Sequence, residues 1–272
     1  MAGEQVAGSK LNSRLLDELL AEGLLLVLLR GSRKSYRARD PEALKRFLID
    51  RDESYRILEV DRPNSRASMA AETGNSKLVM VRSCPGFPVN SYEPIVCLLD
   101  GKPFVVNPQE GSFLFVADWE RFAIPEDVVV IGVENMENFR MIRRQRVFFE
   151  QYLRAHDLSI RVLFVSRYPQ STDLRRWLCA ISNHYLHFGD FDLAGINIFL
   201  VDFQQYLGEE RSSYLIPDDV ESRLKSGSRK RYDEQYNRFK SIKSEVPELQ
   251  HLIDLIHRER KAYDQEGYII SD

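Results

Sequence analysis

Three carboxylates stand where apolar runs end. Val128-Val129-Val130-Ile131-Gly132-Val133 stops on Glu134, and Tyr185-Leu186-His187-Phe188 runs into Gly189-Asp190-Phe191-Asp192-Leu193-Ala194-Gly195. Between them lie a helical segment, the apolar stretch Arg161-Val162-Leu163-Phe164-Val165 and a second helical segment. Acids at the carboxyl ends of parallel strands converge on one sheet edge, where open α/β folds place their sites. Gathered carboxylates repel one another unless a cation joins them, and Mg2+ is the usual hard cation where phosphates are handled. On an extended segment the two side chains of Asp-x-Asp share a face. Glu134, Asp190 and Asp192 therefore predict a site for one or two Mg2+ (or Mn2+) ions beside a phosphodiester. Such a site can activate a water and stabilise the leaving oxygen. Glu134 has two open roles, metal ligand or general acid/base. Asp192 has a second one, as the cap of a helix beginning near Leu193.

Strand–helix alternation from Val128 to about Leu207 predicts the parallel α/β sheet that positions these acids. Before it, residues 81–125 are strand-rich and punctuated by Pro and Gly, with Asp100-Gly101 as a hairpin signal. Residues 1–80 contain a helix (Leu11 to Glu22), a strand (Leu24 to Leu29), a basic turn, a return strand (Tyr36 to Arg39) and a helix opened by Asp40-Pro41. The order helix, basic hairpin, helix predicts a winged-helix-like module. The expected division is 1–80, 81–125 and 126–272. After the alternation, Ser213 to Asp219 reads as a loop and Lys225 to Arg231 as a basic, flexible link. Tyr232 to Lys240 and Glu248 to Tyr263 read as helices.

At 272 residues with 43% hydrophobic content, the chain can bury a proper core and is not a disordered type. Its net charge of −3 carries no global basic signature, so nucleic-acid contact must come from local runs. Such runs are Arg33, Lys34 and Arg37 on the hairpin, Lys77 in the next segment, Arg140, Arg143 and Arg144 after Glu134, and Arg229 to Arg231 in the late link. Each alone is an ordinary solvated face. Together they suit salt-dependent, sequence-independent phosphate contacts. Thr73-Gly74-Asn75-Ser76-Lys77 lacks phosphate-loop spacing, which excludes that mode of nucleotide binding. Three scattered cysteines and no long apolar run point to a reducing, cytoplasmic setting with no membrane span. His184 and His187 read as packing residues of the last strand.

The runs Val130 to Phe139 and Phe188 to Gly195 resemble the two signatures of a Toprim domain, a fold shared by topoisomerases, primases and some nucleases. Their wording is similar to the Toprim nuclease subunit of Wadjet plasmid-defence systems and, more distantly, to the A subunit of topoisomerase VI. The resemblance implies a Toprim-like parallel sheet flanked by helices, with Glu134, Asp190 and Asp192 holding Mg2+ for DNA cleavage. Tyr263-Asp264-Gln265-Glu266-Gly267 resembles a Glu-Gln-Glu-like motif near the terminus of the Wadjet subunit, which adds Glu266 as a fourth metal ligand. The implied partners are double-stranded DNA, an SMC-like ATPase complex and, as an option, a second copy of the chain. Part of the arm that engages the ATPase in that subunit is unmatched here. Two alternatives stay open. One is a topoisomerase VI A-like subunit with a tyrosine nucleophile, for which Tyr36 has the best setting. The other is a non-catalytic DNA-binding scaffold with a degenerate Toprim fold.

Overall fold

The computed structural model describes residues 5–7, 13–30, 33–51, 55, 84–168 and 171–269. The chain divides into two compact units, Met1–Ser83 and Cys84–Asp272.

In the first unit, β1 (Val6–Ala7), α1 (Ser13–Ala21), β2 (Leu25–Arg30), β3 (Arg33–Ala38) and α2 (Pro41–Arg51) follow in order. The strands form a sheet in the order β1-β3-β2. Gly23, at φ +66°, ends α1 in the left-handed conformation that glycine tolerates best. The Asp40 carboxylate opens α2 by accepting from the Glu42 and Ala43 amides, at 2.9 and 3.2 Å. Leu19, Leu44 and Leu48 make a small core. This is the expected helix–hairpin–helix with a third short strand added.

The second unit is built on a six-stranded sheet in the order β12-β11-β9-β10-β4-β7. Its centre is β9 (Val129–Val133), β10 (Val162–Ser166) and β11 (Tyr185–Phe188), every residue of which is buried. Strands covered on both faces read as unbroken apolar runs, which is why these three stand out in the sequence. β9 pairs in parallel with β10 and β11, and β11 in parallel with β12 (Ser212–Tyr214). β4 (Phe87–Ser91) lies antiparallel to β10, and β7 (Leu114–Val116) antiparallel to β4. Residues 84–125 are thus shared between two sheets. β5 (Ile95–Leu99), β6 (Lys102–Val106) and β8 (Phe122–Ala123) form a separate one in the order β6-β5-β8. The β5–β6 turn places Asp100 and Gly101 at φ +53° and +72°, as a two-residue primed turn requires.

The β9–β10 crossover contains α3 (Met136–Arg140), a 3-10 turn (Ile142–Gln145) and α4 (Arg146–Ala155). α5 (Ser171–Ala180) links β10 to β11. The β11–β12 crossover is α6 (Leu193–Ile198), a π turn (Phe199–Gln204) and α7 (Gln205–Leu207). α8 (Val220–Ser226), α9 (Arg229–Phe239) and α10 (Pro247–Glu259) follow. Two readings change here. Ser213 and Tyr214, expected to open a loop, belong with Ser212 to the sheet's edge strand. The expected flexible link at 225–231 is the end of α8 and the first turn of α9, capped by Ser228 accepting from the Arg231 amide at 3.3 Å. No helix among the described residues is long and apolar enough to cross a membrane.

Candidate active site at the carboxyl edge of the sheet

In the strand order β10-β9-β11-β12, the chain leaves β9 toward one side and leaves β11 toward the other. The crevice between β9 and β11 is therefore the topological switch point, where ligands bind in open α/β sheets. Glu134 stands one residue past β9, and its amide donates to the Phe188 carbonyl of β11 at 3.1 Å. Asp190 stands two residues past β11. The acids read from the sequence come from the two strands that border this crevice.

Glu134 is mostly buried. Its Oε1 pairs with Arg167, just past β10, at 3.2 Å. Its Oε2 lies 3.7 Å from His187 Nε2, and both atoms are buried without a hydrogen-bond partner. His187 Nδ1 bonds the Tyr185 hydroxyl at 2.8 Å, and the rings of Phe199 and Phe203, carried by the π turn, pack on the imidazole. Burial pushes the Tyr185 phenol well above its ordinary pKa. Burial, with Glu134 and the two aspartates adding to it, does the same to Tyr214. Both phenols stay protonated, and Tyr214 donates to the Asp190 carbonyl at 2.6 Å. Gly189 is required by space. A Cβ there would meet Glu134 Oε2 at 2.8 Å and His187 Nε2 and the Tyr214 hydroxyl at 2.9 Å.

Asp192 does two jobs. Its Oδ1 caps α6 by accepting from the Gly195 amide at 2.7 Å, as the capping alternative anticipated. Its Oδ2 accepts from Gln235 at 2.8 Å and from Arg231 Nε at 2.9 Å. Burial raises its pKa, opposed by the Gly195 and Gln235 hydrogen bonds and by Arg231. Asp190 Oδ2 takes the Nη2 of the same arginine at 2.6 Å, and Asp190 Oδ1 accepts from the Gln265 amide at 2.9 Å. The two aspartates do face one cation, and that cation is a guanidinium.

The segment after α10 closes the crevice. Phe191 bridges to Tyr263 and Ser228 to Ala262. Asp264 pairs with Arg231. Gln265 accepts from the Asn135 amide at 3.2 Å, and its own carbonyl accepts from Asn138 at 2.9 Å. Glu266 accepts from the Asn135 side chain. Glu134, Asp190, Asp192 and Glu266 thus gather at one sheet edge. As arranged they do not fit a divalent ion. The aspartate oxygens are committed to Arg231, Gln235 and two amides, and among the described residues no group of three or more His, Cys, Asp or Glu is disposed to hold a metal. A cavity of about 800 Å³, bordered by Tyr152, His184 and His251 among others, is lined by none of the four acids.

Asn135 caps α3, its Oδ1 accepting from the Glu137 and Asn138 amides at 2.6 and 3.3 Å, while its amide group donates to Glu266. Asn135→Ala is expected to cost about 1 kcal/mol by loss of the cap. The cost should show as a lower urea midpoint, and an unchanged midpoint would refute the capping role.

The basic residues read from the sequence are carried by several elements. Lys34 and Arg37 are exposed on β3, and Arg33 lies on the same strand, its side chain outside the described residues. Lys77 also lies outside them. Arg140 and Arg144 are exposed. Arg143 is turned onto carbonyls, those of Pro108 at 2.8 Å and Tyr92 at 3.3 Å. α3 ends at Arg140, so Arg140 and Arg143 do not share a regular helix face. Tyr36, weighed as a nucleophile, is buried in β3. The residues that sequence reasoning missed are Gln235, Arg167 and Tyr214, and Arg231 was read only as part of a basic run and not as the partner of the aspartates. For Arg231 one signal was there: Ser228 directly before a charged run is a helix N-cap pattern.

The second unit is a mixed α/β domain with carboxylates at the switch point of its sheet. Residues 105–271 match the family described as Domain of unknown function (DUF7281), and the chain belongs to that family. No curated protein matches it.

Proposed function

We propose that the protein is a Mg2+- or Mn2+-dependent DNA endonuclease of the Toprim type. In this reading it hydrolyses a phosphodiester with Glu134, Asp190 and Asp192 as the catalytic acids and Glu266 in support. The observation that carries the reading is the placement of Glu134 and Asp190 on either side of the switch-point crevice, one strand apart. The exposed Lys34 and Arg37 of the N-terminal unit suit contact with duplex phosphates. A winged-helix-like role for that unit, and work beside an SMC-like ATPase in defence against plasmids or phage, belong to the same proposal. Double-stranded DNA is the substrate in every version of it.

The test is cleavage of supercoiled plasmid in Mg2+, in Mn2+ and in EDTA, with analysis of the ends. Metal-dependent nicking or linearisation is expected, with no protein attached to the DNA. It should fall on the order of a hundredfold or more in Asp190→Asn, the range seen when a group acting on the transition state is removed. Equal cleavage by wild type and Asp190→Asn would refute the assignment. Covalent tyrosyl–DNA adducts would replace hydrolysis with the topoisomerase-like alternative.

One observation favours a second reading, a DNA-binding scaffold without catalysis. Arg231 neutralises both aspartates. Duplex binding with no cleavage under any metal would support it.

A further inference from the structure

The cavity of about 800 Å³ in the second unit is walled by β12, the π turn, α4, α8 and α10. That is the size of a site for a small organic molecule. Its inner wall is apolar: Phe199, Leu252 and Leu255 border it and are at most 2% exposed. Gln204 interrupts this wall. The residue borders the cavity at 9% exposure, and its side chain makes no hydrogen bond to another described residue. A buried amide without a protein partner is costly, and each such case in a native fold calls for an explanation. Gln204 is carried by the π turn Phe199–Gln204, a helix irregularity that occurs mostly where function requires it.

The rim is acidic. Glu209, Asp218, Glu221 and Glu248 border the cavity, and among the described residues no Lys or Arg does. Glu221 is satisfied by Lys225 at 3.1 Å and Arg258 at 2.8 Å. Glu209, Asp218 and Glu248 are exposed and have no ion pair with a described residue. The amino ends of α8 and α10 also meet the cavity, each worth at most about half a positive charge. Three unpaired carboxylates outweigh them, so the rim is negative. His184 does not offset it. Burial lowers its pKa, which keeps the imidazole neutral, and Nε2 is bonded to the Ser213 hydroxyl at 2.9 Å. These acids are not disposed to hold a metal either.

We propose that this cavity binds a small organic cation, a protonated amine carried on an aromatic body with a polar group at its other end. The body packs on Phe199, Leu252 and Leu255, the ammonium lies among the rim carboxylates, and the polar group takes the free amide of Gln204. A bare ion lacks the body, and an organic anion meets the wrong charge. Two wall residues also brace the sheet edge: Tyr214 donates to the Asp190 carbonyl at 2.6 Å, and the Phe199 ring packs on His187 at 5.4 Å. An occupant therefore touches side chains that support Asp190 and His187.

The test is isothermal titration calorimetry of the full chain near neutral pH and at fixed salt. The probes share one ring: tyramine, phenethylamine without the hydroxyl, para-ethylphenol without the amine, and para-hydroxyphenylpropionate with the charge reversed. Tyramine is expected to bind roughly tenfold more tightly than para-ethylphenol, the product of the small factor that each exposed ion pair adds. The propionate is expected to show no binding. The variant Glu209→Gln/Asp218→Asn/Glu248→Gln, altered only at exposed positions, should lose the tenfold preference and bind para-ethylphenol as wild type does. Gln204→Leu should weaken tyramine to the level of phenethylamine and leave phenethylamine unchanged, which a general loss of folding would not do. Absence of tyramine binding at millimolar concentration, equal binding of tyramine and the propionate, or unchanged tyramine affinity in the triple variant overturns the proposal. Neither DNA nor metal is present in the titration, so its outcome is independent of the nuclease reading.

Discussion

Truncating Trp177 to alanine is expected to cost about 4 kcal/mol, the range for removing a buried aromatic from a core. The indole is 1% exposed on α5, stacked on Phe122 with ring centroids 5.5 Å apart and tilted against Phe87 at 5.1 Å. Its Nε1 donates to the Phe122 carbonyl at 2.7 Å. The substitution therefore opens a cavity and strands a buried acceptor, and the two penalties act together. Trp177 ties three parts of the second unit together: the β10–β11 crossover, β8 of the small sheet and β4 of the main sheet. A melting temperature lower by roughly 10 °C is expected, since 1 kcal/mol corresponds to about 2–4 °C at this size. Trp177→Phe keeps most of the ring and loses the hydrogen bond, so it should lie between the two. A loss under 1 kcal/mol in Trp177→Ala, measured by urea unfolding, would show that the two sheets do not depend on this contact.

Gly132→Ala should cost nearly as much from a single added methyl. A Cβ at Gly132 would sit 2.1 Å from the Tyr185 hydroxyl and 2.7 Å from two of its ring carbons. Elsewhere a flexible side chain could turn aside. Tyr185 cannot, being fully buried, bonded to His187 and packed on Phe203 at 5.0 Å. Overpacking of this kind costs about 3 kcal/mol or more where neighbours cannot yield. Tyr185→Phe in the same chain removes only the nearest atom and leaves the ring contacts, so partial recovery is expected. The comparison needs the two single variants and the double variant in urea. Full recovery would mean that the hydroxyl alone is responsible. No loss in Gly132→Ala would mean that β9 and β11 can separate without penalty. The site is sensitive to this position, because Gly132 lies two residues before Glu134 on β9 and Tyr185 holds the imidazole behind the Glu134 carboxylate.

The strands that carry the acids could be read directly because their burial is complete. β9, β10 and β11 have no solvent face, so their apolar runs are unbroken and end where the chain reaches the sheet edge. Asp100-Gly101 and Gly23 were legible for a local reason, since each needs a backbone conformation that few residues accept. The joining of β4 and β7 to the main sheet was not legible. A strand's own residues say that it is buried and do not say beside which partner. β12 is three residues long and begins with two serines, too short and polar for any period to show. Arg231 was hidden by its neighbours: in Lys225 to Arg231 the composition is that of a solvated link. Its carboxylate partners at Asp190 and Asp192 lie far away in sequence, so only the fold reveals the pairing. Glu134, Asp190 and Asp192 were found because a strand end is a local feature, whereas Glu266, in the 3-10 turn Gln265–Tyr268, came only from a resemblance. The group that neutralises two of them is a tertiary one.

The pairing of Phe191 with Tyr263 and of Ser228 with Ala262 also bears on the order in which the molecule comes into being. A chain made from its amino end exposes Glu134, Asp190 and Asp192 well before Asp264 to Glu266 exist. The segment at 262–266 then arrives as a late clasp, adding a third carboxylate to the arginine and an amide to Asp190. The carboxyl edge of the sheet is thus complete only when the residues beyond α10 are in place.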